Sequence, residues 1–242
     1  MSIFKKIARK AESRVFCTAV IVAAGSSARM GFDKLMAPLC GVPVLVHTLR
    51  AFELCERVDE IIVVTQSEKI APIAELCKAH DISKATKILM GGETRLHSSL
   101  AGVCEADPRA RVIAVHDGAR PLVTSEIISA AVHEAVLNRA AAPAIPVRDT
   151  IKSAENGVVT STPDRATLFA VQTPQIFDAD IIKAALTDAL QKGVAVTDDC
   201  AAVEAMGVKI RLTAGSDENI KITTPVDLLT AEGILRKRGG IA

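Results

Sequence analysis

The sequence has 242 residues, of which 49% are hydrophobic and 24% charged, with a net charge of +1. That balance fits a soluble globular chain and leaves no electrostatic footprint for nucleic acid or an anionic membrane. The absence of Trp and Tyr removes the usual base-stacking platform, and no apolar run reaches the ~18 residues of a membrane-spanning helix.

The six cysteines show no C-x-x-C pairing and no metal-ligand spacing, and the five histidines are scattered. Free thiols in a reducing cytoplasm are therefore expected. Residues 1–16 form a basic extension carrying Lys5, Lys6, Arg9, Lys10 and Arg14. It lacks the apolar core and cleavage site of a secretory signal. Ile3, Phe4, Ile7 and Ala11 fall roughly on one helical face, so a short helix packed on the domain, or a frayed end, is expected there, with a membrane-surface role as the lesser reading. Residues 17–242 read as a single domain.

The elements follow in order. Residues 17–24 (CTAVIVAA) are a buried strand ending at Gly25. A helix follows Pro43 over 44–55, then a strand at 60–65 and a helix at 68–80. A strand at 86–90 stops at Gly91-Gly92, and a helix covers 94–105. A strand at 111–116 precedes a helix over 124–138 with Thr124 as N-cap. This strand–helix alternation predicts an α/β fold with a mostly parallel sheet.

The rhythm breaks at about residues 144–166. Strand-like pieces at 144–147, 149–153 and 158–161 flank a turn at Asn156-Gly157, a hairpin signal. The insert is polar. It reads equally as an arm that meets a partner subunit or as a plain edge hairpin. Beyond it come a strand at 168–172, a helix at 178–190, a short helix after Thr197, strands at 208–212 and 219–222, and a last helix from Pro225. Thr224 and Asp227 suit a capping box at its start.

Ligands of open parallel sheets bind beyond the carboxyl ends of the strands, and the polar motifs sit there. After the first strand comes AAGSSARMG, with Arg29 inside it and Lys34 beyond. Small residues let backbone N–H groups approach phosphate oxygens, and the two cations suit a triphosphate. Neither the Walker nor the dinucleotide glycine spacing fits. GGETR at 91–95, opening a helix that carries Ser98, could seat a flat base or be a glycine turn with a solvated arginine. HDGARP at 116–121 places Asp117 where a metal-bound phosphate would lie, or as a turn residue.

The ordered set AAGSSARMG, GGETR, HDGARP, PVRDT, QTPQ, TDD and NIK resembles the 2-C-methyl-D-erythritol 4-phosphate cytidylyltransferase family, over nearly the whole chain. The resemblance implies a Rossmann-like nucleotidyltransferase fold, a β-arm exchanged in a homodimer, and use of CTP with Mg²⁺. The ion would be held mainly by the CTP phosphates, with Asp117 considered as a direct ligand. On this likeness Ala23, Ala24, Gly25, Gly92, Glu93, Ser98, Asp117 and Gly118 line the CTP site. Arg29 and Lys34 stabilise the transition state. Arg165 and Lys221 position the methylerythritol phosphate, and Arg120, Thr150, Thr173 and Thr197 match other substrate-pocket positions. Thr150 and Arg165 would reach the neighbouring subunit's site. The chain departs from the family in placing Asp33 directly before Lys34 and Glu93 where Asp is frequent. Some relatives carry a fused cyclase domain, which is not expected here. The rival readings are a ribitol 5-phosphate cytidylyltransferase, a non-catalytic nucleotide-binding protein and an NAD-dependent dehydrogenase, the last disfavoured by the missing glycine fingerprint.

Overall fold

The structure, a computed structural model, describes residues 14–25 and 30–239. The helix expected near residues 3–11 and Arg29 of the first loop lie outside the described residues.

The strands β1 (Phe16–Val22), β4 (Glu60–Thr65), β5 (Ala85–Met90) and β6 (Ala110–Asp117) run parallel in the order β6-β1-β4-β5. All six residues of β4 are buried. Its continuous apolar run is what a strand covered on both faces requires. Alternation then assigns each side chain to a layer. Ala19, Ile21, Ile61, Val63 and Ala114 face one apolar cluster. Val20, Ile62, Val64, Ile113 and Val115 face the other.

Helices α1 (Val44–Glu53), α2 (Ile70–Ala79), α4 (Ser125–Asn138) and α7 (Pro225–Lys237) bury residues in the first cluster. Helices α3 (Arg95–Cys104), α5 (Ala179–Gln191) and α6 (Asp199–Ala205) cover the second. Gly102 lets α3 lie close on the sheet: a Cβ there would stand 2.3 Å from Val20 Cγ1 and 2.8 Å from Val64 Cγ2.

The sheet continues past β6 through β11 (Gln175–Asp178), β7 (Ala140–Pro146) and β10 (Phe169–Val171), with β12 (Arg211–Ala214) on the far side of β7. Among the described strands of this sheet, only β10 and β11 run against the rest. Together they form one line broken at residues 172–174. Pro143 in β7 faces that break and accepts the Gln172 N–H at 2.8 Å. Its missing N–H therefore falls where no partner strand asks for it, which reconciles a proline with a central strand. That proline-and-alanine composition also hid the first half of β7, expected only from residue 144.

Three expectations need correction. The strand expected at 149–153 is not formed before Ser153. The strand expected at 208–212 is shifted to β12, because Val208 and Ile210 pack against the second cluster before pairing with β7 begins at Arg211. The segment 219–222 is not a strand. Its backbone bonds are taken elsewhere: Ile222 N–H donates to the Ala119 carbonyl at 2.8 Å, and the Asn219 and Ile222 carbonyls accept from Arg120 and Lys34. A two-stranded hairpin, β2 (Pro38–Leu39) with β3 (Val42–Pro43), was not foreseen.

The insert forms the hairpin β8 (Ser153–Glu155) and β9 (Val158–Ser161), which pair with each other and, among the described residues, with no other strand. Asn156 and Gly157 adopt φ of 51° and 80°, the primed turn that matches strand twist. All residues of both strands are exposed. Among the described residues no helix is long and apolar enough to cross a membrane.

Candidate active site

Backbone pairing carries on past the carboxyl ends of the parallel strands. Ala23 N–H donates to the Val64 carbonyl at 2.7 Å, Gly91 to Thr65 at 2.7 Å and Gly118 to Val22 at 2.9 Å. These bonds set the loops after β1, β5 and β6 side by side around a cavity of about 630 Å³. It sits at the carboxyl edge, as open α/β sheets lead one to expect.

One wall is made of atoms that cannot be enlarged. A Cβ on Gly91 would lie 2.7 Å from both Ala24 Cβ and Ser98 Oγ, and one on Gly92 would lie 2.5 Å from His97 Cβ. Ser98, 1% exposed, holds this loop: its Oγ accepts the Gly92 N–H at 3.3 Å and donates to the Thr94 carbonyl at 3.1 Å. Thr94 caps α3 by accepting the His97 N–H.

The opposite wall is charged. Asp117, the last residue of β6, is buried. Lys221 Nζ stands 2.9 Å from its Oδ2, Arg120 Nε 3.3 Å from the same oxygen, and Arg95 Nε 3.7 Å from Oδ1. Burial opposes ionisation of Asp117, but Lys221, Arg95 and Arg120 together hold its carboxyl well below the usual carboxylate range. Arg95 also pairs with Asp199 at 2.7 Å. Burial works against its charge, yet Asp199, Asp117 and Asp198 more than offset this and raise its pKa.

Behind Asp117 lies a neutral relay. Burial pushes His116 down to about 3, with Asp117 opposing the shift, so its ring carries one proton at neutral pH. The Arg120 carbonyl, 3.3 Å from Nε2, can only accept, which puts the proton on Nε2. Nδ1 then accepts from the Thr173 hydroxyl at 2.9 Å. Thr173 Oγ1 in turn accepts the Asp117 N–H at 3.2 Å. Thr173 thus holds the backbone of Asp117.

Lys34 reaches the cavity and donates to the Ile222 carbonyl at 2.9 Å. Its neighbour Asp33 is turned to Lys69, at 2.9 Å, and accepts the Leu35 N–H at 3.1 Å. The Asp-Lys order is thus accommodated, with the acid held outside and the lysine inside.

Of the sequence-derived candidates, Ala23, Ala24, Gly25, Lys34, Gly92, Glu93, Ser98, Asp117, Gly118 and Lys221 line the cavity. Arg120 and Thr173 support Asp117 from behind. Thr197 is exposed on the loop before α6. Thr150 and Arg165 are exposed on the insert, outside this chain's cavity wall; Arg165 Nη1 donates to the Arg148 carbonyl at 2.7 Å. The arginine after GGET was readable only as a motif member. Its partner Asp199 lies far along the chain, and only the fold joins them.

Among the described residues no group of three or more His, Cys, Asp or Glu could hold a metal ion. Asp117 is already ringed by cations, so its surroundings repel a further positive ion. These residues do not fit a resident divalent metal.

The cavity, with glycines on one side and a bank of cations on another, lies at the carboxyl edge of a mostly parallel sheet, and this chain is a Rossmann-like enzyme of the nucleotidyltransferase class. The sequence model of 2-C-methyl-D-erythritol 4-phosphate cytidylyltransferase matches residues 17–237. A protein of that name from Caldanaerobacter subterraneus subsp. tengcongensis is 46% identical over 228 residues, covering 91% of this chain and 99% of its own. Another from Desulforamulus reducens is 42% identical, covering 91% and 96%. The solved 4-diphosphocytidyl-2C-methyl-D-erythritol synthase from Anaerococcus prevotii superposes with a TM-score of 0.82 at 30% identity, covering 92% of this chain and 96% of that one. The chain belongs to the 2-C-methyl-D-erythritol 4-phosphate cytidylyltransferase family.

Proposed function

We propose that this chain transfers CMP from CTP to 2-C-methyl-D-erythritol 4-phosphate, giving 4-diphosphocytidyl-2-C-methyl-D-erythritol and pyrophosphate. The observation that carries the reading is the cavity wall on which Lys221 lies 2.9 Å from a buried Asp117, opposite a glycine wall that admits no side chain.

The base would lie against Gly92, Glu93 and Ser98, with the triphosphate over Ala23, Ala24 and Gly25. The acceptor phosphate is largely dianionic near neutral pH, its second pKa being about 6, so it needs no general base. One of its oxygens bonds to the α-phosphorus while the bond from that phosphorus to the pyrophosphate oxygen breaks, and pyrophosphate takes the electron pair. What the protein must supply is alignment of two anions and positive charge where charge builds. We assign that to Arg29 and Lys34 on the nucleotide side and to Lys221 on the acceptor side, with Asp117 orienting Lys221. Divalent charge from Mg²⁺ would arrive as part of the CTP complex.

We further propose that the chain works as a homodimer in which Thr150 and Arg165 of the insert complete the partner's site. The support is their exposure, and a hairpin that among the described residues pairs only with itself while Val158 and Val159 are left 69% and 55% exposed. The six unpaired thiols support a reducing compartment such as the cytoplasm.

The test is pyrophosphate release from CTP with Mg²⁺, run in parallel with methylerythritol phosphate and ribitol 5-phosphate. Turnover with the first alone is the expected result. Turnover with ribitol 5-phosphate alone would keep the chemistry and move the acceptor, and CTP binding without release would overturn the reading.

A further inference from the structure

We infer that Arg95 is a positioning residue that locks the start of α6 onto the nucleotide-side loop through Asp199, and thereby sets affinity for the acceptor. The inference rests on the cytidylyl-transfer reading above.

Arg95 is the first residue of α3, directly after the glycine wall, and Asp199 is the first residue of α6. Their side chains meet at 2.7 Å, with Asp199 1% exposed. A cation in the first turn opposes the helix dipole, so Arg95 is not placed there for the benefit of α3. A carboxylate favours the start of α6, but an exposed one would do that equally well. Burying it costs free energy unless it is paired. The pair is explained by what it connects.

On its other side the start of α6 is tied to the sheet. Asp198 caps the helix by accepting the Ala201 N–H at 2.8 Å and also accepts from Gln175 Nε2 at 2.7 Å. Gln175 Oε1 accepts the Cys200 N–H at 3.0 Å. The loop before α6, which carries Thr197, therefore ends in a clamp with β11 on one side and Arg95 on the other. Arg95 also stands 3.7 Å from Asp117, the residue that orients Lys221. One guanidinium thus contacts Asp117, which orients Lys221 on the acceptor side, and the start of α6 beside Thr197, a substrate-pocket position on the family likeness, and it springs from the loop that lines the nucleotide side.

The experiment uses the full chain and compares Asp199→Asn, Arg95→Lys and Arg95→Gln. CTP affinity is measured by calorimetry without acceptor. Acceptor KM and kcat are measured at saturating CTP, and Tm alongside. Asp199→Asn is nearly isosteric and removes only the charge; it should raise acceptor KM by about tenfold, the scale of one charge-assisted contact, and leave CTP affinity within about twofold. Arg95→Lys keeps a charge but loses the fork, and should recover part of the loss seen in Arg95→Gln. Should Arg95→Gln fail to fold, the other two variants decide. Folded variants with lowered Tm and wild-type acceptor KM would reduce the pair to a structural tie and overturn the inference, as would a loss confined to CTP affinity. A wild-type chain silent with methylerythritol phosphate would overturn the parent reading and this inference with it, before any substitution is made.

Discussion

In the cleft the carboxylates are buried and paired with cations, whereas in the β8–β9 insert the charges are exposed, and Lys152 and Arg165 bond within the insert. Asp117, with its side chain 10% exposed, holds Lys221 and Arg120, and Arg95 reaches Asp199. In the insert Lys152 donates to Thr162 at 2.7 Å and Arg165 to a neighbouring carbonyl. The cleft's field is therefore shaped by cations gathered on two buried carboxylates, Asp117 and Asp199, where attraction is less screened than in open water. The insert's cations face water, where such contacts are worth little. On the proposed reading their use lies in another subunit. The difference teaches that burial marks where a site is built, while exposure can mark where a site is lent.

The largest effect should come from the cleft. Lys34→Ala removes positive charge from the nucleotide side and the bond to the Ile222 carbonyl; kcat should fall by ~10²-fold or more, the scale of losing one transition-state contact. A fall of less than tenfold in steady-state turnover would take Lys34 out of the chemistry.

Arg165→Ala should be milder, raising acceptor KM by about tenfold with Tm unchanged, because the side chain is exposed and its contact local. Mixing is the sharper experiment. If the arm is exchanged, a dimer of one Lys34→Ala chain and one Arg165→Ala chain has one cleft with both residues intact. Equal mixing should then recover about a quarter of wild-type activity at low acceptor, since half the dimers are mixed and half their sites intact. Activity no higher than the average of the two parents would place Arg165 in its own chain's site or in none, and would mean that the insert lends nothing to a partner.

Legibility followed the same divide. The parallel strands could be read because burial on both faces forces unbroken apolar runs, as in β4. The hairpin turn could be read because Asn156-Gly157 has few other uses. The glycine wall and the small-residue loop were legible as motifs. What stayed hidden were features set by distant partners. The Asn219–Ile222 segment has strand-like residues, but Lys34, Ala119 and Arg120 take its backbone bonds. β7 is written in Ala and Pro, and only the break in the strand it faces makes that acceptable. Arg95 and Asp199 are each ordinary surface types until the fold buries Asp199 and pairs the two.

The smallest effect concerns His116, behind the cleft, and it separates burial from charge. Its pKa is lowered from 6.5 to about 3, first by burial. Above pH 6.5 the ring is neutral whether the chain is folded or not, and the group contributes its full stability. As pH falls from 6.5 towards 3, the unfolded chain takes up a proton that the native ring refuses, so stability is lost with acidification. The loss is at most about 1.4 kcal/mol per pH unit for one such group. Between pH 6.5 and about 5 it is largely clear of the carboxylates, whose ordinary values lie near 4. His47, whose pKa is also lowered by burial, adds to the wild-type slope but is common to both proteins. His116→Gln keeps a donor and an acceptor for Arg120 and Thr173 and removes the titration. Denaturant melts at pH 6.5 and 5 should therefore show a smaller acid loss in the variant, even if its stability at pH 7.5 is lower. An equal loss in both proteins would mean that His116 accepts the proton in place, and that the buried side of the cleft is wetter than its packing against Phe52 and Thr173 implies.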